Sequence, residues 1–327
     1  MKIVFYNVRE FDELPMMEKL SRQYGMEFVY TTEALSDANI GLAEGCQGFC
    51  STPCKMTEEW IDRLNAYGVK YFFCRSIGFD HLPLEYMKKY GMKATNSPYP
   101  PECVANYAIM LILMATRRVN ETMRRAALMD YTLKGKMGRD LGDLTVGVIG
   151  TGNIGATVIR HLSGFGCRIL AHSRHENEEL KKYAEYTDLD TLYEQSDVIT
   201  LHLASNSSTD HFINAEAIAK MKDGAILVNT ARGTLIDSQA LISALKAGKL
   251  GGAALDVFEN EAPLIYIDNT NNVIDNDAVT ILRSMPNVIL TPHMSFYTET
   301  TVYNMVDKAF LSAKYYEEGK ESPFQVN

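Results

Sequence analysis

The chain has 327 residues, of which 46% are hydrophobic and 22% charged, and it carries a formal charge of −9. This length exceeds what one hydrophobic core usually supports, so we expect two domains. The acidic balance argues against binding to nucleic acid, and no segment approaches the roughly 20 apolar residues of a membrane span.

The first third of the sequence has the pattern of alternating strands and helices. A strand-like run begins directly after Met1, which leaves no room for a secretion signal, so we expect a cytoplasmic location. Apolar runs at residues 3–6, 28–30, 48–51, 71–74 and 93–96 alternate with amphipathic stretches, as in βαβ units.

Three closely spaced cysteines in this region could suggest a metal site. Cys46, Cys50 and Cys54 are too few to complete a four-ligand site, and we predict no metal.

A second series of strands follows an apolar helix that is predicted from residue 103 to residue 117. Strand-like runs occur at 145–150, 167–172, 198–202, 225–229, 253–257 and 288–290, with helical patterns between them. This order predicts a doubly wound parallel sheet. The last predicted helix, from Thr300 to about Glu318, has one apolar side and is expected to return to the first domain.

A glycine motif follows the first strand of this second series. Residues 150–155 read GTGNIG, which matches the pattern G-x-G-x-x-G, and the motif lies between a predicted strand and a predicted helix. In that context Gly150 permits a tight turn, Gly152 lets backbone amides approach a pyrophosphate, and Gly155 allows close packing of the helix on the sheet. We therefore predict a dinucleotide site that includes Asn153 and Ile154.

The end of the next strand bears on which cofactor binds. A carboxylate there would hold the ribose 2′-hydroxyl of NAD, but the sequence has Ser173 and Arg174 after His172. A hydroxyl and a guanidinium suit a 2′-phosphate. We expect NADP(H) in preference to NAD(H), although a merely solvated Arg174 would leave NAD(H) open.

Three charged or titratable residues follow successive late strands. Reduction of a 2-oxo acid needs a cation for the substrate, a proton donor, and a group that keeps the donor charged. Arg232, Glu261 and His293 supply these types at positions where open α/β sheets bind ligands. A carboxylate beside a histidine favours the charged imidazole, so we predict that Glu261 pairs with His293.

Four segments together resemble the D-2-hydroxyacid dehydrogenase family. They are GVIGTGNIG at 147–155, NTARGTLID at 229–237, LDVFENE at 255–261 and TPH at 291–293, and the resemblance covers nearly the whole chain. Its D-lactate dehydrogenase branch fits best, and within that branch the type found in vancomycin-resistance clusters is most similar. The resemblance implies that Arg232 binds and polarises the substrate, that Glu261 orients His293, and that His293 is the acid/base. It also implies cofactor contacts from Thr230, Ala231 and Asp256.

The same resemblance implies the domain arrangement and the substrate pocket. The fold class is α/β, with a Rossmann cofactor domain (101–297) inserted into a flavodoxin-like substrate domain (1–100 and 298–327). The backbone at Ile77 and Gly78 would receive the substrate carboxylate, while Tyr99 and Phe296 would line the side-chain pocket. The partners implied are a small 2-oxo or 2-hydroxy acid and a second copy of the chain in a homodimer.

Several functional alternatives stay open at this stage. A hydroxyisocaproate or phenyllactate dehydrogenase would use the same residues on bulkier 2-oxo acids. A regulatory protein of the same fold would bind the dinucleotide and turn over slowly. A formate dehydrogenase is disfavoured, because those relatives usually carry Gln at the position of Glu261.

Overall fold

The computed structural model describes residues 1–54 and 56–327. The chain divides into two compact units, one formed by Met1–Pro100 with Tyr297–Asn327 and one by Pro101–Phe296. The limits predicted from the sequence place Tyr297 on the other side of this division. None of the described helices combines the length and the apolar character needed to span a membrane.

The first unit is built on a five-stranded parallel sheet with the order β2-β1-β3-β4-β5. This order is that of flavodoxin-like folds. The strands are β1 (Lys2–Phe5), β2 (Glu27–Tyr30), β3 (Gly48–Ser51), β4 (Tyr71–Cys74) and β5 (Lys93–Thr95). The helices are α1 (Glu13–Tyr24), α2 (Glu58–Ala66), α3 (Leu84–Met87) and, at the end of the chain, α11 (Glu299–Glu317).

Aromatic side chains fill much of the core of this unit. Phe310 of α11 stacks on Phe5 of β1 with ring centroids 5.3 Å apart, and both side chains are fully buried. Phe49 and Phe72 pack on the opposite face of the sheet, 5.1 Å apart. Burial of large rings on both faces explains how short strands form a stable sheet.

The second unit contains a seven-stranded parallel sheet with the order β12-β11-β10-β9-β6-β7-β8. Its strands are β6 (Thr145–Ile149), β7 (Arg168–His172), β8 (Glu185–Tyr186), β9 (Val198–Leu201), β10 (Ala225–Asn229), β11 (Leu250–Leu255) and β12 (Val288–Leu290). Its helices are α4 (Glu102–Thr116), α5 (Val119–Ala126), α6 (Asn153–Leu162), α7 (Leu189–Gln195), α8 (Ala215–Lys220), α9 (Ser238–Lys246) and α10 (Asp277–Ser284).

The order in which successive strands are added to this sheet reverses at β6. From β6 it proceeds outward to β7 and β8, and then returns to start β9 on the other side of β6. α4 and α6 pack on one face of the sheet, whereas α7 to α10 pack on the other. Ligands bind such sheets at the carboxyl ends of the strands beside the reversal. The predicted α/β class with a doubly wound parallel sheet is confirmed.

The sequence prediction missed some elements and displaced one. β8 has only two residues, and α5 has only eight residues that are largely polar, so neither contains an extended apolar run. β11 was predicted at 253–257 but occupies Leu250–Leu255. Gly251 and Gly252 make the start of β11 hard to recognise in the sequence, because glycine is uncommon in strands unless neighbouring strands fix its conformation.

Candidate functional site

The glycine motif forms the turn between β6 and α6. Gly150 has φ of 94°, and a Cβ there would lie 2.5 Å from the carbonyl oxygen of His202. A Cβ on Gly155 would overlap the backbone carbonyl group of Gly150. No atom would lie within 4 Å of a Cβ on Gly152, which precedes the first residue of α6. The motif therefore combines two sterically required glycines with an open approach to a helix N-terminus, where phosphate groups bind.

A neutral histidine borders this turn and was not predicted from the sequence. His202 directly follows β9, and its Nε2 lies 3.0 Å from Oγ1 of Thr200. Burial lowers the pKa of His202 to about 4. The side chain is therefore uncharged at neutral pH and contributes no charge beside the motif.

The end of β7 carries an unpaired cation. Arg174 is exposed and has no ion pair within the described residues. The nearby Glu176 and Glu178 both bind Lys181, at 2.8 and 2.7 Å. The guanidinium of Arg174 is therefore available for an anionic group, with Ser173 next to it.

The loop after β10 is held by a buried amide. Asn229 Nδ2 donates to the carbonyl oxygen of Arg232 at 2.8 Å, and Asn229 Oδ1 accepts from the backbone N–H of Ala231 at 3.0 Å. The hydroxyl oxygen of Thr230 is buried and has no hydrogen-bond partner in the described structure. A buried hydroxyl without a partner is costly unless a ligand or water satisfies it, which fits the predicted cofactor contact.

Glu261 and His293 are 32 positions apart and lie in contact. His293 Nδ1 is 2.7 Å from Glu261 Oε1, and both side chains are only partly exposed. Glu261 Oε2 accepts from the backbone N–H of Phe258 at 3.1 Å, which fixes the carboxylate. Because the carboxylate occupies Nδ1, Nε2 is the ring nitrogen through which His293 can exchange a proton with a ligand.

Asp256 organises the segment that carries His293. It is fully buried, and its Oδ1 accepts from the Thr291 hydroxyl at 2.6 Å and from the Met294 N–H at 2.8 Å. Its Oδ2 accepts from the Ser295 N–H at 2.8 Å. Asp256 thus joins the end of β11 to the loop after β12, and its predicted contact with the nicotinamide stays a prediction.

The predicted substrate-binding residues lie in both units. Phe296 packs edge-on against the imidazole of His293, with ring centroids 6.2 Å apart. Ile77, Gly78 and Tyr99 belong to the first unit, where Asn96 Nδ2 donates to the Ile77 carbonyl at 2.8 Å and Ser76 Oγ donates to the Gly78 carbonyl at 2.6 Å. Their roles in substrate binding stay predictions.

The arrangement in the second unit suits a nicotinamide dinucleotide. The open face at Gly152, the N-terminus of α6 and the orphaned Thr230 hydroxyl all lie after strand carboxyl ends of one sheet. Arg232 and the Glu261–His293 pair follow neighbouring strands of that sheet. A hydride carrier, a fixed cation and a side chain that can donate a proton are the components needed to reduce a carbonyl group. Within the described residues no cluster of His, Cys, Asp or Glu is arranged to hold a metal ion.

Comparison with known proteins gives matches over the whole chain. The model of the family described as D-isomer specific 2-hydroxyacid dehydrogenase, NAD binding domain, matches residues 109–295. An aromatic 2-oxoacid reductase of Clostridium sporogenes is 37% identical over 322 residues, which cover 97% of this chain and 96% of the relative. A D-specific alpha-keto acid dehydrogenase of Enterococcus faecium is 40% identical over 313 residues, 95% of this chain and 96% of the relative. The crystal structure of a D-lactate dehydrogenase of Treponema pallidum superimposes with a TM-score of 0.88 and 35% identity, covering 100% of both chains.

Proposed function

The chain belongs to the D-isomer specific 2-hydroxyacid dehydrogenase family, and from that premise we propose which 2-oxo acid it reduces and which residues do so. As an oxidoreductase of this family it interconverts 2-oxo acids and D-2-hydroxy acids with a nicotinamide cofactor. The substrate we propose is a small 2-oxo acid of the pyruvate type. The observation that carries the assignment of residues is the 2.7 Å contact between Glu261 and His293.

The proposed mechanism gives each side chain one task. The bound nicotinamide supplies hydride chemistry. His293 Nε2 donates a proton to the carbonyl oxygen as the alkoxide develops, and Glu261 stabilises the positive charge of the imidazole before that transfer. Arg232 binds the substrate carboxylate and polarises the carbonyl group through its fixed charge. In the oxidative direction His293 accepts the proton back.

Two substitutions test these roles directly. His293→Ala should lower kcat about 10²- to 10⁴-fold while cofactor binding is retained, because only the proton donor is removed. Arg232→Ala should both raise KM and lower kcat. His161→Ala is the matched control, since His161 lies on α6 and binds Asn106 instead of the catalytic pair. Undiminished turnover in His293→Ala would remove it from the mechanism.

A bulkier substrate is the second candidate. The aromatic rings of Tyr266 and Phe296 stand next to His293, and aromatic walls also suit large apolar substituents. One relative bears the name aromatic 2-oxoacid reductase. Loss of nicotinamide absorbance with pyruvate, 2-oxobutyrate, 2-oxoisocaproate and phenylpyruvate separates the candidates. A higher kcat/KM for the last two acids would replace the small-substrate proposal, and tight cofactor binding without turnover would favour a regulatory protein.

NADP(H) is the proposed cofactor. The support is Arg174, which is exposed and has no ion pair within the part of the chain that the structure describes, together with Ser173 at the end of β7, where no carboxylate follows directly. A charge-assisted hydrogen bond of about 1.5–3 kcal/mol corresponds to roughly 10- to 150-fold in kcat/KM. Arg174→Gln should remove most of the NADPH preference, whereas Arg168→Gln, at the other end of β7, should not change it.

We also propose a cytoplasmic location, because the pool of nicotinamide cofactor is there. Cell fractionation tests this location.

A homodimer is proposed from an exposed apolar segment. Leu128, Tyr131, Leu133 and Met137, in the loop after α5, are each at least 70% exposed. Large exposed apolar patches mark association surfaces. Light scattering should give twice the chain mass for the wild type and a lower mass for Leu133→Ser combined with Met137→Ser. Val273→Ser, at another fully exposed apolar residue, should stay dimeric, and a monomeric wild type would refute the proposal.

A further inference from the structure

Tyr266 lies in the long segment between β11 and α10 and reaches the candidate proton donor. Its hydroxyl donates to the backbone carbonyl oxygen of His293 at 2.9 Å. Its ring lies 6.2 Å from the imidazole and 6.3 Å, edge-on, from the ring of Phe296. The sequence offered no motif or periodic pattern that singled out this residue.

The backbone of His293 adopts a conformation that its neighbours must hold. His293 has φ of 56°, in the left-handed region that residues other than glycine rarely adopt. Such residues persist where the surrounding structure fixes them, and they cluster at functional sites. Tyr266 is itself left-handed, with φ of 62°. Both residues therefore adopt a disfavoured backbone conformation at the same site.

The structure shows how that conformation is fixed. The N–H of His293 donates to the Asp256 carbonyl at 2.8 Å, while its carbonyl accepts from Tyr266. Glu261 binds the imidazole at Nδ1, and the ring centroids of Tyr266 and Phe296 each lie 6.2 Å from the centroid of the imidazole. Within the described residues no hydrogen bond to Nε2 is present, so that nitrogen is the one left for a substrate.

We propose that Tyr266 is a positioning residue, which fixes the backbone and ring orientation of His293 so that Nε2 meets the carbonyl oxygen of the 2-oxo acid. The inference rests on the proposed role of His293 as the acid/base. Proton transfer depends steeply on geometry, and small displacements of a catalytic group cost rate without weakening substrate binding. Loss of the Tyr266 hydroxyl should thus affect kcat and spare KM.

The test uses Tyr266→Phe, which retains the ring and removes only the hydroxyl. One hydrogen bond corresponds to about a 3- to 10-fold fall in kcat, with KM within about twofold and a melting temperature within about 4 °C of the wild type. The isotope effect on kcat with deuterated cofactor should rise, because the chemical step becomes more limiting. Tyr183→Phe, at a partly exposed tyrosine of the same unit, should match the wild type in every measurement.

His293→Ala is measured in parallel to separate the two hypotheses. An inactive His293→Ala together with wild-type kcat and isotope effect in Tyr266→Phe overturns the positioning role alone. A kcat loss accompanied by a larger fall in melting temperature or by a raised KM also overturns it, because a general structural role would then suffice. An active His293→Ala overturns the proposed function, and the positioning role with it.

Discussion

Two glycines in the turn between β6 and α6, Gly152 and Gly155, should respond differently to substitution by alanine. Gly155→Ala places a Cβ against the backbone carbonyl group of Gly150, whose carbon would lie 3.0 Å away and whose oxygen would lie nearer still. Backbone cannot rotate aside as a side chain can, so α6 must shift relative to β6. Gly152→Ala instead adds a methyl group in open space.

The magnitudes follow from these contacts. Overpacking of a rigid core costs about 1–3 kcal/mol, and overlap with backbone places Gly155→Ala at or above the upper end. For a unit of about 200 residues, 3 kcal/mol lowers the melting temperature by roughly 6–12 °C. Gly152→Ala should change the melting temperature by about 2 °C at most, while the methyl group blocks the approach of a pyrophosphate to the α6 amides.

Thermal unfolding and cofactor titration separate these outcomes. Gly152→Ala should melt like the wild type and bind the cofactor at least about tenfold more weakly, whereas Gly155→Ala should lose stability as well. Gly164→Ala, at another position with open space, is the control for both measurements. Wild-type cofactor affinity in Gly152→Ala would refute the assignment of the dinucleotide to this turn.

Two further predictions concern the histidine–carboxylate pairs. Glu261→Gln keeps the side-chain shape but removes the charge beside His293, so kcat should fall about 10- to 100-fold with an unchanged melting temperature, and a wild-type kcat would contradict the pairing's role. His211 Nε2 lies 2.7 Å from Glu259 Oε1, and this hydrogen bond raises the pKa of His211. A raised histidine pKa gives stability that is present below the ordinary value of 6.5 and lost as pH rises through the raised value. Thermal unfolding should therefore show His211→Gln less stable than the wild type near about pH 6 and equal to it near about pH 9, and equal destabilisation at both would contradict this linkage.

Most strands, and the order of the candidate catalytic residues along the chain, could be predicted from the sequence. Buried parallel strands are continuous apolar runs, and β3, β4, β10 and β12 occupy the predicted residues. Arg232, Glu261 and His293 could be selected as candidates because they lie in the segments after such strands, whose carboxyl ends meet at one edge of the sheet. The family and its reaction are confirmed by the comparisons.

Contacts made by residues outside regular elements could not be predicted in the same way. Tyr266 lies in a segment without helix or strand, so no periodicity relates it to His293 27 positions later. His202 was counted as the last residue of a strand, and only the packed turn shows that its carbonyl lies against Gly150. Thr230 was predicted from its motif, but its unpartnered hydroxyl is visible only in three dimensions.

The energetic cost of the left-handed His293 connects stability to activity in this fold. Such a conformation costs about 1–3 kcal/mol, which must be offset nearby. The three hydrogen bonds that the Asp256 carboxylate accepts, together with the bonds to both backbone groups of His293, provide that offset. Because the groups that stabilise the loop also orient the imidazole, we expect a substitution that loosens the loop to displace Nε2. If His293 has the proposed role, the end of β11 contributes to the reaction through the geometry of His293, independently of any contact that Asp256 makes with the cofactor.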